Sequence, residues 1–499
     1  MPFFKTKRLI SACVLALVFP PMVAPLNVYA QQKLNLPSLG DPASEEFSPA
    51  LERKVGESIM ASLRANRQIE EDAETVGYLN QLGAQLATQA AEGYSFEFFL
   101  IKDLTLNAFA LPGGFIGVHS GLIMSAQTES ELASVLGHEI GHVTQRHIAR
   151  MLGQDKRSSV LTLGALVLAI LAARSNPNAA AALATVGPAA QIQNQLGFSR
   201  DAEREADRVG IQILEQSGFD TQDMGNFFAR LQHASRFYEN NAPSYLRTHP
   251  ITVERMADMQ NRQRTTTYKQ RVDSIDFYLV KARLKALTNL SVDGLRQTRL
   301  SFEQQIKQKN SQNMAATWYG YAVTLVEQRD WNGAEKALQE AGAALKANKR
   351  ESSHPFFSIL SAEIKLRSNN PENALSLTST ALKNFPNSRA LTYTHIRALQ
   401  ASGQHAQALE VLGKERDSYK RDARLYSLSA ESYAALNQRT AQHQMTGEYY
   451  VLIGALPAAL EQFQLARQAR DGDFYLNSIV DARFRELQQR MQDEKSGNR

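Results

Sequence analysis

From Leu51 onward, apolar residues recur mostly at three- and four-residue spacing, the period of an amphipathic helix. This pattern predicts helices over 51–66 and 72–90, the second with Val76, Leu79, Leu82, Leu86 and Ala90 on one face. The period then changes. Phe96 to Ile101, Asn107 to Leu111 and Phe115 to His119 read as strands, and the turn Pro112-Gly113-Gly114 makes the last two a hairpin. Helical spacing resumes at Thr128-Glu129-Ser130-Glu131, a capping box in which a hydroxyl accepts from a backbone N–H and a Glu three residues on bonds back. This helix is expected to run past Arg150. Residues 160–173 are 14 consecutive apolar or small residues, flanked by Lys156, Arg157 and Arg174, too few to span a bilayer. They read as a buried or lid helix, or as an interfacial helix touching lipid or an unfolded client. A further helix carries Arg200 to Glu215 and stops at Ser217-Gly218, and another ends before Pro243.

Thr265-Thr266-Thr267 interrupts the pattern, and a domain boundary is expected near 265–275. Beyond it the sequence reads as helical pairs. Trp318, Ala322, Leu325, Ala334, Leu338 and Ala341 fall at the small and large positions of a 34-residue tetratricopeptide repeat. Ala362, Ala374, Ala381 and Pro386 repeat the pattern, Ala408 follows Ala374 by 34 residues after Gly403, and Gly454, Ala459, Phe463 and Ala466 form a late unit. The spacing is degenerate, since Ala334 to Ala374 is 40 residues and Gln442 stands where an alanine is due. An irregular α-helical domain is the alternative. Either way, a grooved helical surface without a catalytic motif points to binding.

At 499 residues the chain is about three times the size of a usual single domain, so two or more cores are expected. With 43% hydrophobic and 21% charged residues it is neither a disordered tail nor a polytopic membrane protein. The formal charge is +5, but the first thirty residues change its meaning. Lys5, Lys7 and Arg8, the apolar run Leu9 to Phe19, and Val28-Tyr29-Ala30 before Gln31 read as a cleaved secretory signal peptide over 1–30, followed by a linker over 31–50. Pro20 and Pro21 argue against an uncleaved anchor, and Cys13 precedes most of the apolar stretch, against a lipobox. Cleavage would leave 52 basic and 50 acidic side chains and no cysteine, so disulfides and Cys-rich zinc sites are excluded. A near-neutral chain with no basic run gives no support to nucleic-acid binding.

The chemistry concentrates in His138-Glu139-Ile140-Gly141-His142. On a helix, residues four apart share a face, so two imidazoles can converge on one metal ion, while Glu139 reaches a water rather than the metal. A third ligand must come from elsewhere. Glu203 and Asp207 are also four apart on a helix; one carboxylate could complete the coordination and the other orient a ligand imidazole through its second nitrogen. Glu205 falls on another face of that helix. The plainer reading of 200–207 is a solvated, charge-laced helix. His147, five residues past His142, misses the metal face and is expected to be structural, as is His119.

Together these residues resemble the zinc endopeptidases that include the prenyl-protein (CAAX) protease and bacterial heat-shock membrane proteases. The resemblance covers about residues 50–260 and rests on Asn107 to Gly114, His138 to His142, Glu203-x-x-Ala206-Asp207, and His249-Pro250 with Arg255. It implies a mainly α fold with a small β-sheet: a gluzincin-type metalloprotease domain over 51–265, followed by a tetratricopeptide-repeat solenoid over 275–490. It implies one Zn²⁺ held by His138, His142 and Glu203, with Glu139 as the base and Asp207 as the carboxylate behind a ligand. Asn107, Ala108, Phe109, Ala110 and Leu111 would form an edge strand pairing with an extended substrate. His249 and Arg255 are candidates for stabilising the oxyanion; a rival role for His249 is to occupy the metal's open position and keep the enzyme latent. Unlike the family's membrane proteases, this sequence has only 160–173 for peripheral membrane contact. With a leader before these motifs and repeats after them, the resemblance implies a periplasmic endopeptidase and chaperone-like factor that degrades misassembled outer-membrane β-barrel proteins, with the repeats engaging the assembly machinery. The alternative is a non-proteolytic chaperone or adaptor on a protease fold.

Overall fold

The computed structural model describes residues 47–65, 67–90, 93–153, 199–235, 244–265, 271–347 and 353–496. The expected leader, Cys13, most of the linker and the apolar stretch 160–173 lie outside the described residues. No helix among the described residues is long and apolar enough to cross a membrane.

The alternating apolar positions of three segments build most of one small sheet. β1 (Ile69–Glu70), β2 (Glu97–Ile101), β3 (Ala108–Leu111) and β4 (Phe115–His119) lie in the order β1-β2-β4-β3. β2 and β4 run parallel, Glu97 opposite Phe115 and Ile101 opposite His119. β3 returns antiparallel on β4, with Leu111 opposite Phe115, through a turn in which Gly113 and Gly114 hold φ of +79° and +86°, a region costly for residues with a Cβ. β3 therefore forms one edge of the sheet. The two-residue β1 is too short to show in any periodicity.

Alternation sends side chains to two faces. On one, Phe98, Leu100, Ile116 and Val118 pack with Leu79, Leu82 and Leu86 of α2 (Ala73–Ala87) and Leu132, Leu136 and Ile140 of α4 (Glu129–Thr144). On the other, Phe99, Ile101, Leu111 and Phe115 meet Val55, Ile59, Met60 and Leu63 of α1 (Pro49–Ala65). The short α3 (Ser120–Ser125), absent from the sequence expectation, carries β4 into α4. The predicted capping box forms half as drawn: Thr128 Oγ1 accepts from Glu131 N at 3.1 Å, while the Glu131 carboxylate accepts from Gln127 N at 2.6 Å.

The helix expected to run past Arg150 breaks. α4 ends at Thr144, Arg146 adopts φ +52°, and α5 (His147–Gly153) starts in a new direction. The cause is tertiary: the Arg146 guanidinium lies 2.7 Å from Glu52 of α1 and also binds the Phe47 carbonyl. α6 (Arg200–Gln216) packs along α4 and closes at Gly218 with φ +76°, the stop read from the sequence. α7 (Gln222–Ser235), the one-turn α8 (Ser244–Thr248) and α9 (Val253–Thr265) complete this part.

α10 (Ile275–Leu287) opens the helical region, and eleven further helices follow from Val292 to Ser496 among the described residues. Consecutive helices pack as pairs. The repeat positions behave as small, close-contact sites: Ala322, Ala334, Ala341, Ala362, Ala374, Ala381, Ala408, Ala459 and Ala466 are all buried. Gly403 and Gly454 take positive φ in inter-helix turns. At the irregular unit the buried alanine is Ala441, one residue before Gln442.

The main hydrophobic core does not stop at 265–275. It runs from Tyr78 through Phe277, Leu279, Phe302, Tyr319 and Ile359 to Leu391, and smaller cores hold the later helices. A buried ion cluster crosses the same junction. Arg283 of α10 lies 2.7 Å from both Asp72, the N-cap of α2, and Glu74, and Tyr319 donates to Glu74 at 2.8 Å.

Candidate metal centre

Four helical segments bring the site together. α4 presents His138, Glu139 and His142; α6 presents Glu203 and Asp207; His249 follows α8; Arg255 sits on α9. α4 and α6 approach unusually closely because the contact is made of small residues. A Cβ on Gly141 would lie 2.9 Å from the Ala206 carbonyl, and one on Gly210 would lie 3.1 Å from the His138 amide nitrogen. That proximity lets a side chain as short as Glu203 reach both histidines.

One donor atom each from His138, His142, Glu203 and His249 lies within 4.8 Å of the others, and all four residues are buried. His142 Nε2 is 3.0 Å from His138 Nε2 and 3.4 Å from Glu203 Oε1. His249 Nδ1 is 3.0 Å from Glu203 Oε1 and 3.3 Å from His138 Nε2. A set of imidazole nitrogens and a carboxylate oxygen converging on one point is the chemistry of a transition-metal site. Glu139 is wholly buried, and among the described residues neither of its oxygens has a well-formed hydrogen bond, His249 Nε2 standing 3.5 Å from Oε1 and the Ala110 backbone beside it. Such a group belongs to a reacting water or substrate rather than to the fold.

The electrostatics of this cluster is mutual. Burial pushes the Glu139 carboxyl above its ordinary range, and the nearby His249 and His138 only partly offset this. Burial acts in the same sense on Glu203, but the charge of His249 and hydrogen bonds from the three imidazoles hold it well below the usual carboxylate range. Burial would lower His138; its hydrogen bonds to Asp207 and Glu203 win and hold it up at about 9. His142, with a weaker share of the carboxylates, is held down by burial.

Asp207 Oδ1 lies 2.9 Å from His138 Nδ1, the nitrogen turned away from the cluster. Arg255 is buried against two carboxylates. It grips Asp207 with Nε at 2.7 Å and Nη2 at 2.8 Å, places Nη1 2.6 Å from Glu203 Oε2, and donates to the Pro250 carbonyl at 2.8 Å. This geometry turns four of the five guanidinium N–H groups to the carboxylates and the Pro250 carbonyl, and so orients Glu203 and Asp207. Asn107 to Leu111 supply the sheet edge beside α4, and the Asn107 side chain is buried without a partner for either polar atom.

Two residues set aside in the sequence reading prove to touch the site. His147 Nδ1 lies 2.8 Å from His142 Nδ1, and His147 Nε2 lies 3.2 Å from Glu205 Oε2. On an unbroken helix, i+5 would face away; the break at Arg146 turns His147 back. Tyr245 was not singled out either. Its ring stacks on His249 at 4.7 Å, its amide donates to the Leu106 carbonyl just before β3, and its hydroxyl is buried without a hydrogen-bond partner among the described residues. None of the cluster's residues lines the cleft of about 930 Å³ that lies beside β2, α2 and the helix Arg389–Ala401.

Residues 73–263, which hold all of these groups, match Peptidase family M48. The chain is 32% identical over 488 residues to the β-barrel assembly-enhancing protease of Escherichia coli K12, covering 98% of each. It is 34% identical over 342 residues to the putative β-barrel assembly-enhancing protease of Vibrio cholerae, covering 68% of this chain and 69% of that one. A mitochondrial metalloendopeptidase of Arabidopsis thaliana shares 30% identity over 172 residues, about a third of each chain. The buried donor set and the match along nearly the whole length lead to one conclusion: the chain is a metalloprotease and belongs to the β-barrel assembly-enhancing proteases of Peptidase family M48.

Proposed function

We propose that this chain is a zinc-dependent endopeptidase of the periplasm, acting in the assembly and quality control of outer-membrane β-barrel proteins and degrading misassembled ones. Residues 51–265 form its peptidase domain; residues 275–490 form a tetratricopeptide-repeat domain that engages clients and assembly machinery. The observation that carries the reading is the convergence of His138, His142, Glu203 and His249 donor atoms beside the buried Glu139 carboxylate. The role in outer-membrane assembly is supported by the names of the relatives that match over nearly the whole chain.

His138, His142 and Glu203 would hold Zn²⁺, which when bound supplies a Lewis acid that acidifies water and polarises a carbonyl. The remaining work belongs to the chain. Glu139 takes the proton of the attacking water and returns it to the leaving amine, a task suited to a carboxyl whose pKa burial has raised. β3, from Ala108 to Leu111, offers its free edge to an extended peptide and sets the register of the scissile bond over α4. Asp207, gripped by Arg255, fixes the ring of His138. His249 has Nδ1 among the ligand atoms and Nε2 3.5 Å from Glu139, so it blocks the position a substrate carbonyl needs and holds the enzyme latent.

The test is Glu139→Gln in the full chain. The variant is expected to keep its zinc and abolish cleavage of an unfolded client such as casein. Retained cleavage would sink the mechanism, and would favour neither Glu139 nor the metal-assisted attack.

A further inference from the structure

Each imidazole expected to hold the metal through Nε2 must keep its other nitrogen protonated and its ring fixed. For His138 the carboxylate of Asp207 does this directly, at 2.9 Å. At His142 Nδ1 stands another histidine, His147, whose Nδ1 lies 2.8 Å away.

We infer that His147 and Glu205 form a positioning relay that locks His142 in the tautomer with Nε2 free for the metal. The inference rests on the reading of His138, His142 and Glu203 as ligands. Two ring nitrogens 2.8 Å apart share a single hydrogen, because both cannot donate and two lone pairs would repel. Glu205 decides which ring owns it. Its carboxylate accepts only, and it lies 3.2 Å from His147 Nε2, so that nitrogen carries the N–H and His147 Nδ1 is the lone pair. The hydrogen between the rings then belongs to His142 Nδ1. His142 Nε2, the atom facing His138 and Glu203, is left bare. Arg150, one turn on from His147 in α5, lies 3.1 Å from Glu205 and holds its carboxylate in place.

The arrangement has a geometric cause. Glu205 and Asp207 stand two residues apart on α6 and cannot point the same way. Asp207 reaches the His138 ring itself; Glu205, turned aside, reaches His142 only through an intermediary carried on another helix. The break at Arg146 supplies that intermediary.

Metal affinity of the full chain tests the relay without reference to turnover. Zinc would be titrated in competition with a chromophoric chelator for the parental chain, His147→Phe, His147→Asn, Glu205→Ala and the double variant His147→Phe/Glu205→Ala. His147→Phe fills the space but cannot accept, and is expected to weaken zinc about 10- to 100-fold, the usual effect of losing such a partner. His147→Asn, whose amide oxygen can accept from His142 Nδ1, should stay close to the parental value. Glu205→Ala should weaken binding, with no further loss when added to His147→Phe. With Co²⁺ in place of zinc, the visible absorption bands should shift in His147→Phe and not in His147→Asn. Parental affinity and an unchanged Co²⁺ spectrum in His147→Phe would overturn the relay. If His147→Phe does not fold, Glu205→Ala decides, since its carboxylate is partly exposed at the surface, and parental affinity there overturns the relay equally. A parental chain that takes up no metal would overturn both the relay and the metalloprotease reading; one that binds zinc while the variants match it overturns the relay alone.

Discussion

His249 touches two parts of the machinery at once, with one nitrogen among the candidate ligands and the other toward Glu139. Its two proposed roles make opposite predictions. If it occupies the position that a substrate carbonyl must take, His249→Ala raises casein cleavage several-fold with the zinc content unchanged. If it stabilises the oxyanion, the same substitution lowers kcat about 10²- to 10³-fold. Steady-state kinetics on the purified variant decides, and the closed geometry predicts the rise. At this scale the sequence was most legible where chemistry imposes spacing. His138, Glu139 and His142 stand out because a helix must bring two imidazoles to one face, and Glu203 with Asp207 because a carboxylate pair on a second helix must meet them. His147 and Glu205 were not legible. Their roles depend on a helix break caused by the Arg146–Glu52 ion pair, a contact between residues 94 apart that no local pattern reveals.

The site's geometry is set by two helices in backbone contact rather than by adjustable side chains. Gly137 and Gly141 of α4 face Ala206 and Gly210 of α6, all buried or nearly so at four-residue spacing. A methyl group at Gly141 would meet the Ala206 carbonyl at 2.9 Å, and backbone cannot swing aside as a side chain can. Gly141→Ala is therefore expected to cost about 1–3 kcal/mol of stability by overpacking and to weaken metal uptake as Glu203 moves away. Gly77→Ala is the matched control: it is helical, exposed, and has nothing within 4 Å of its Cβ position, so it should stabilise by about 0.5–1 kcal/mol. Urea unfolding of both variants, with zinc titration, checks the contrast. The strands β2, β3 and β4 and their hairpin were readable from alternation and the Gly-Gly turn. The parallel pairing of β2 with β4 was not, because nothing in local spacing tells which strand is the neighbour across a sheet.

Over the whole molecule, the sequence suggested a boundary near 265–275, but packing runs through it. The main core continues from the sheet into the first helices of the repeat region, and Arg283 is held between Asp72 and Glu74. One guanidinium faces two carboxylates there. Asp72 is held below its ordinary range: burial would raise it, and Arg283 overcomes this. Burial prevails at Glu74 and raises its pKa to about 8, well above the 4.5 of an unfolded chain. Glu74 therefore contributes stability that is full below pH 4.5 and lost as the pH rises through 8. Arg283→Met removes the guanidinium that opposes both carboxylates, so both favour their protonated forms. The variant should lose about 3–5 kcal/mol at pH 8 and distinctly less at pH 5, read as the difference in unfolding midpoint between the two buffers. An equal loss at both values would show that the pair is not buried as described. Because the main core joins the sheet to the C-terminal helices as far as Leu391, these parts should come apart together as one cooperative unit. A copy damaged at the junction then loses its candidate metal centre along with the helices that share its core, and does not persist as a freestanding peptidase.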